Sequence, residues 1–177
     1  MQVKVIGESG YDAAVLGFSL SYNSSLDRVK EILPNFAFGI PGEDKFLESI
    51  DLWIDVSAPR TWWQEADTYR LSTKQSGSTM HTLMKNKLSQ EDFEVPVWEP
   101  YLEHLNEKIS EYKLEKDPAT KKRMKKELKC ALPEGYLQRR IWHMNYKTFK
   151  NIYNQRKSHD LDFWQKLFPS HDIRLLK

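Results

Sequence analysis

SIDLWIDV, residues 49–56, puts Ile50, Leu52, Ile54 and Val56 on one side of an extended chain and Asp51, Trp53 and Asp55 on the other. A period of two marks a β-strand with one face in a core and the other at least partly wet. Working outward, the opening MQVKVIG alternates Val3 and Val5 against polar neighbours and predicts a short strand ending at Gly7. Asp12 to Ser21 predicts a small buried helix. Asn23-Ser24-Ser25 then supplies a turn and a cap for a helix from Leu26 to Leu33. PNFAFGIPG, residues 34–42, holds two prolines and two glycines and is loop chemistry. Beyond Pro59 the Trp62-Trp63 segment turns helical. It delivers the chain into TYRLSTKQSGSTM, residues 68–80, a polar stretch with one glycine and no apolar stripe to bury.

The second half reads as helical. Ser89 to Pro96 is a linker. From Trp98 to Leu114, apolar residues fall at Trp98, Leu102, Leu105, Ile109 and Tyr112, with Pro100 near the first turn, the pattern of an amphipathic helix. Asp117-Pro118 is an N-cap followed by proline at the first helical position, opening a helix through Lys129 that Leu132-Pro133 interrupts. A third helix is expected from Gly135 to about Arg156, with Leu137, Ile141, Met144, Thr148 and Ile152 on one side. On such a helix Gln138, Asn145 and Arg156 would project in nearly the same direction as a polar row.

A chain of 177 residues suits one domain, residues 1–177, able to bury a core without staples. Cys130 is the single cysteine, so no disulfide can form within the chain. The opening residues carry no secretory pattern and no window approaches a membrane span, which together lead us to expect a soluble, cytoplasmic protein. His81, His104, His143, His159 and His171 show neither an i,i+4 pair nor a cysteine at zinc spacing, so no metal site is expected. Dinucleotide-binding and Walker glycine patterns are absent. Net charge is only +2, yet residues 121–129 read KKRMKKELK. Cations on one helical face can track phosphates. With Met124 and Leu128 fixing its buried side, a solvated basic face is the commoner explanation, and nucleic acid is not the expected partner. Aromatic residues reach 12%, which suits cores, interfaces and stacking on rings.

FLESIDLWIDVSAP, residues 46–59, is followed after an interval by Thr68-Tyr69-Arg70, seven residues, Ser78, one residue and Met80. This order resembles the flavin-dependent thymidylate synthase family, in which a similar strand precedes RHR-x7-S-x-R. KCALPEGYLQRRIWHMNYKTFKNIYNQR, residues 129–156, is similar to that family's R-x-x-L-P segment and the asparagine- and arginine-bearing helix after it. The resemblance covers roughly residues 10–164. It implies an α+β fold, a small antiparallel or mixed sheet flanked by helices.

What the resemblance implies for function is reductive methylation of dUMP, or a related deoxypyrimidine monophosphate. Methylenetetrahydrofolate would give the carbon and NADPH would reduce FAD, with no protein nucleophile. It implies Arg70, Asn145 and Asn151 as flavin-binding residues and Gln75, Ser78, Lys129 and Arg156 as substrate-binding ones. Ser78 and Arg156 would act in catalysis, and Glu48 matches the glutamate of the strand-opening motif. A homotetramer with shared active sites is implied as well. The chain departs from the pattern at Thr68 and Tyr69 (Arg and His in the family), Met80 (Arg), Ser76 (Glu) and Glu43 (a flavin-side His). Each missing arginine removes a charge-assisted contact. The competing expectations are a descendant that binds a nucleotide or a protein without flavin, and a nucleic-acid binder using Lys121 to Lys129.

Overall fold

The computed structural model describes residues 1–38 and 42–168. In chain order the elements are β1 (Gln2–Ser9), α1 (Tyr11–Tyr22), α2 (Leu26–Phe38), β2 (Asp51–Pro59), α3 (Arg60–Ala66), β3 (Ser72–Ser76), α4 (Thr79–Thr82), α5 (Glu99–Leu114), α6 (Pro118–Ala131), β4 (Leu137–Asn145), α7 (Tyr146–Arg156) and α8 (Phe163–Leu167). The four strands form an antiparallel sheet in the order β1-β2-β4-β3. The architecture is α+β. Among the described residues, no helix is long and apolar enough to cross a membrane. Contacts divide the chain into two compact units. One, here the helical unit, takes Met1, Ser57–Ala66 and Ser76–Arg140; the other, the sheet unit, takes the described parts of Gln2–Val56, Asp67–Gln75 and Ile141–Lys177.

In the sheet unit, the alternation in SIDLWIDV has the expected consequence. Ile50, Leu52, Ile54 and Val56 are fully buried, while Asp51, Trp53 and Asp55 are half-exposed. On the wetter face His143 of β4 lies 2.9 Å from the Asp51 carboxylate and stacks on Trp53 at 4.7 Å, fixing the β2/β4 pairing from both sides of one ring. Gly10 links β1 to α1 with φ +84°, and a Cβ there would sit 2.1 Å from the Ser49 carbonyl oxygen, so only glycine fits.

Three expectations from the sequence are corrected here. Helix α2 does not stop at Leu33 but runs through Pro34 to Phe38. Val29, Leu33 and Ala37, four residues apart and fully buried, hold it against the lost backbone hydrogen bond of the proline. Gly39, Ile40 and Pro41 of the expected loop lie outside the described residues. The polar stretch after Arg70 contains a strand, β3. It takes one edge of the sheet, where a polar, lysine-bearing strand is the usual occupant.

The largest correction concerns Gly135 to Arg156. Leu137 to Asn145 is strand β4, and only Tyr146 to Arg156 is helix. The aliphatic spacing fitted a helix, but Trp142 and Met144 alternate with Ile141 and His143, and tertiary context chose the period of two. Pairing with a strand on each side and burial of Trp142 to 0% exposure outweigh local preference. The predicted row of Gln138, Asn145 and Arg156 therefore does not exist, since a strand and a helix project side chains with different periods.

The helical unit is built on Leu102, Leu105 and Ile109 of α5, whose spacing buries one stripe against Leu128 of α6 and Leu132. Helix α6 begins as the sequence predicts, with the Asp117 carboxylate accepting from the Thr120 amide at 2.7 Å and Pro118 at the first position. Trp63 is fully buried within the same unit. Its Nε1 donates to the Gln138 carbonyl at 2.9 Å, and the Arg140 guanidinium lies 4.3 Å over its ring.

Candidate functional site

In the sheet unit, residues 68–71 and one side of α7 enclose a cavity of about 560 Å³, with Asp44 on its wall. Lys147, Asn151 and Asn154 reach it because positions i, i+4 and i+7 share a helix face. Helix α7 starts where it does because Asn145 caps it. The Asn145 side chain accepts from the Thr148 amide at 2.9 Å and donates to the Glu48 carbonyl at 3.4 Å.

Asp44 organises the cations of the cavity. Its carboxylate is buried, one oxygen 2.9 Å from Lys147 Nζ and the other 2.6 Å from Lys150 Nζ. Burial pushes the Asp44 carboxyl up, but hydrogen bonds and charge from Lys150 and Lys147 together hold it below its ordinary value. Lys147 also meets Glu48 at 3.2 Å, and the Asp44 hydrogen bond holds its ammonium above the usual lysine range. These lysines are therefore mostly neutralised. Arg70 differs: it is exposed at the cavity and forms no ion pair among the described residues. A charged fork left to water beside Asn151 and Asn154 is suited to an anionic, hydrogen-bonding ligand.

Beside the cavity, Arg156 is held from two sides. Its Nε donates to the Tyr69 hydroxyl at 2.9 Å and its guanidinium stacks 4.8 Å from the centre of the Trp164 ring. Tyr69 in turn donates to Gln155 at 3.1 Å.

The structure thus brings Arg70 and Asn151 to one cavity, with Arg156 anchored next to it. Asn145 is occupied as a helix cap. Gln75 is exposed on β3. Ser78 and Lys129 belong to the helical unit: Ser78 stands exposed at the N-cap position of α4, and Lys129 is exposed in the last turn of α6. The sequence reading missed Asp44, Lys147, Lys150 and Asn154. For Asn154 a signal existed, because it lies three residues after Asn151 and shares its face. For the Asp44 pairing there was none, since it spans more than a hundred residues. Among the described residues no three His, Cys, Asp or Glu side chains are grouped to hold a metal ion. His171 lies outside the described residues.

At the level of sequence, no protein-family model and no curated protein matches the chain. Solved structures do. A flavin-dependent thymidylate synthase ThyX from Helicobacter pylori, complexed with FAD and dUMP, superposes with a TM-score of 0.69 at 18% identity, covering 93% of this chain and 89% of that one. A second structure of Thymidylate Synthase X from the same organism, with FAD and dUMP, gives the same score and identity over 93% and 88%. The likeness establishes a shared fold.

Proposed function

We propose that this chain, which has the fold of the flavin-dependent thymidylate synthases, is a nucleotide enzyme of that type. It binds FAD and a deoxypyrimidine monophosphate, dUMP in the first instance, and performs reductive methylation with methylenetetrahydrofolate as carbon donor and NADPH as reductant. The observation that carries this reading is the convergence on one cavity of the sheet unit of Asn151, Asn154 and Arg70, which forms no ion pair among the described residues. In this reading Arg70 binds phosphate, and the two asparagines hydrogen-bond the flavin. The bound flavin supplies the redox chemistry. The protein's part is positioning and charge stabilisation, with no protein nucleophile. Arg156, kept rigid by Tyr69 and Trp164, faces the pyrimidine, with Ser78, Gln75 and Lys129 as further nucleotide contacts and Asn145 as a further flavin contact. A homo-oligomer, a tetramer by the resemblance, brings these groups together.

A second reading is a non-catalytic descendant that binds a nucleotide or a protein partner without flavin. It is favoured by the engagement of Arg156 with Tyr69 and by the use of Asn145 as a cap. Absorbance of the purified protein, before and after incubation with FAD and gel filtration, separates the two. Retained flavin supports the enzyme. Colourless protein that still binds dUMP by calorimetry assigns the second reading, and protein that binds neither ends both.

A further inference from the structure

We propose that the solvent face of α6 binds the phosphodiester backbone of nucleic acid without reading its sequence. Lys121, Lys122, Lys125, Lys126 and Lys129 lie on this helix. At 100° per residue they fall within an arc of about 140°, and each four-residue step climbs about 6 Å along the axis. Leu128, buried, lies about 20° beyond the Lys121 edge of this arc, so Lys121 and Lys125 flank the core while Lys122, Lys126 and Lys129 stand exposed.

The sequence alone favoured an ordinary solvated face, and the structure adds what such a face would have. Ordinary exposed helices intersperse both signs, as Lys108 and Glu111 do on α5 at 2.8 Å. Among the described residues none of the five α6 lysines forms an ion pair; the ion pair within α6 is Arg123 with Glu127, at 3.8 Å. Lys121 and Lys125, Lys122 and Lys126, and Lys125 and Lys129 are like-charged neighbours at i,i+4, each destabilising the helix. A polyanion laid along the face would reverse the sign of all these terms and release its counterions.

The surface is also shaped. The lysines border a groove of about 710 Å³ whose lining includes Met80 and Tyr112. Lys121 and Lys125 hold their ammonium groups 5.3 and 5.7 Å from the centre of the Tyr112 ring, which sets two positive charges in place above an apolar floor. An anionic membrane is the poorer fit. A helix that binds in a lipid interface inserts large apolar side chains beside its charges, whereas this arc carries five lysines and Pro118 and no large apolar side chain. The proposal is independent of the flavin-site reading.

The test is fluorescence anisotropy of the full chain with a labelled single-stranded oligothymidylate and a labelled mixed-sequence duplex, across a sodium chloride series. Binding to either probe is expected, with log K falling linearly in log salt. Five engaged lysines give a slope of about −3.5 on the single strand, from about −0.7 per phosphate. Lys122→Gln with Lys126→Gln should weaken binding about tenfold or more at low salt and flatten the slope by about 1 to 2. Lys30→Gln with Lys87→Gln, exposed lysines outside α6, should stay within about twofold of the parent. Because the α6 variant removes like-charge neighbours, its Tm should not fall, and weakened binding at an undiminished Tm excludes misfolding as the cause. Absent or salt-independent binding, an equal loss in the control variant, or binding to phosphatidylserine vesicles without binding to either oligonucleotide would each overturn the proposal.

Discussion

Arg156 Nε donates to the hydroxyl of Tyr69 at 2.9 Å, and Trp164, fully buried, supplies the ring on which the same guanidinium stacks at 4.8 Å. The contact ties the end of α7 both to the segment before β3 and to α8. Truncating its buried member, Trp164→Ala, is expected to cost about 3 to 5 kcal/mol. Tyr69→Phe keeps the ring and loses only the hydroxyl, so about 1 kcal/mol is expected, below the roughly 1.5 to 3 kcal/mol of a bond to a charged group because the site is half-exposed. Urea unfolding measures both. A Trp164→Ala loss below that for Tyr69→Phe would mean the stack is not what holds Arg156.

Asp44 gives the protein an acid-sensitive contact. Its folded pKa lies below the ordinary carboxylate value of 3.8. Its contribution is therefore fully present above the unfolded pKa and is lost as pH falls through the folded one. Stability should decline below about pH 4, and Asp44→Asn should remove that part of the slope. Asp44→Ala at neutral pH should cost about 2 to 3 kcal/mol, less than a wholly enclosed pair because Lys147 is partly solvated. Thermal melts of parent and variants from pH 3 to 7 read both effects.

Asn145 separates the capping role from the flavin role. As a cap, its replacement by alanine should cost about 1 kcal/mol, and Asn145→Asp should restore most of it because aspartate caps as well. With Asn145 also contacting the flavin, as proposed, Asn145→Ala should lose more flavin than its lower stability explains, and an equal loss would leave it a cap alone. If Asn145→Asp folds like the parent yet loses flavin, the side chain contacts the cofactor in addition to capping α7.

Arg70 is the residue whose loss should leave the fold untouched. It is exposed and forms no ion pair among the described residues, so Arg70→Ala should change stability by less than about 0.5 kcal/mol. Removing a charge-assisted contact to phosphate costs about 1.5 to 3 kcal/mol, roughly 10- to 150-fold in affinity for dUMP or FAD. Calorimetry with each ligand checks this. Unchanged affinity for both would place the nucleotide site elsewhere.

The sequence by itself determined the elements whose reasons are local. The alternation of SIDLWIDV, the Asp117-Pro118 start of α6 and the apolar spacing of α5 each need only neighbours in the chain. The ordering of motifs also pointed to the fold that the solved structures share. Tertiary structure decided β4, where the same residues satisfied two periods until strand neighbours completed the ladder and buried Trp142. It likewise decided the site. Asn145, legible as polar, became a cap because a helix begins at Tyr146. Asp44 became the partner of Lys147 and Lys150 across more than a hundred residues. Local propensity is a matter of a few tenths of a kcal/mol per residue, whereas burying one tryptophan or pairing one buried charge is worth several times more, so wherever they conflicted the long-range term prevailed.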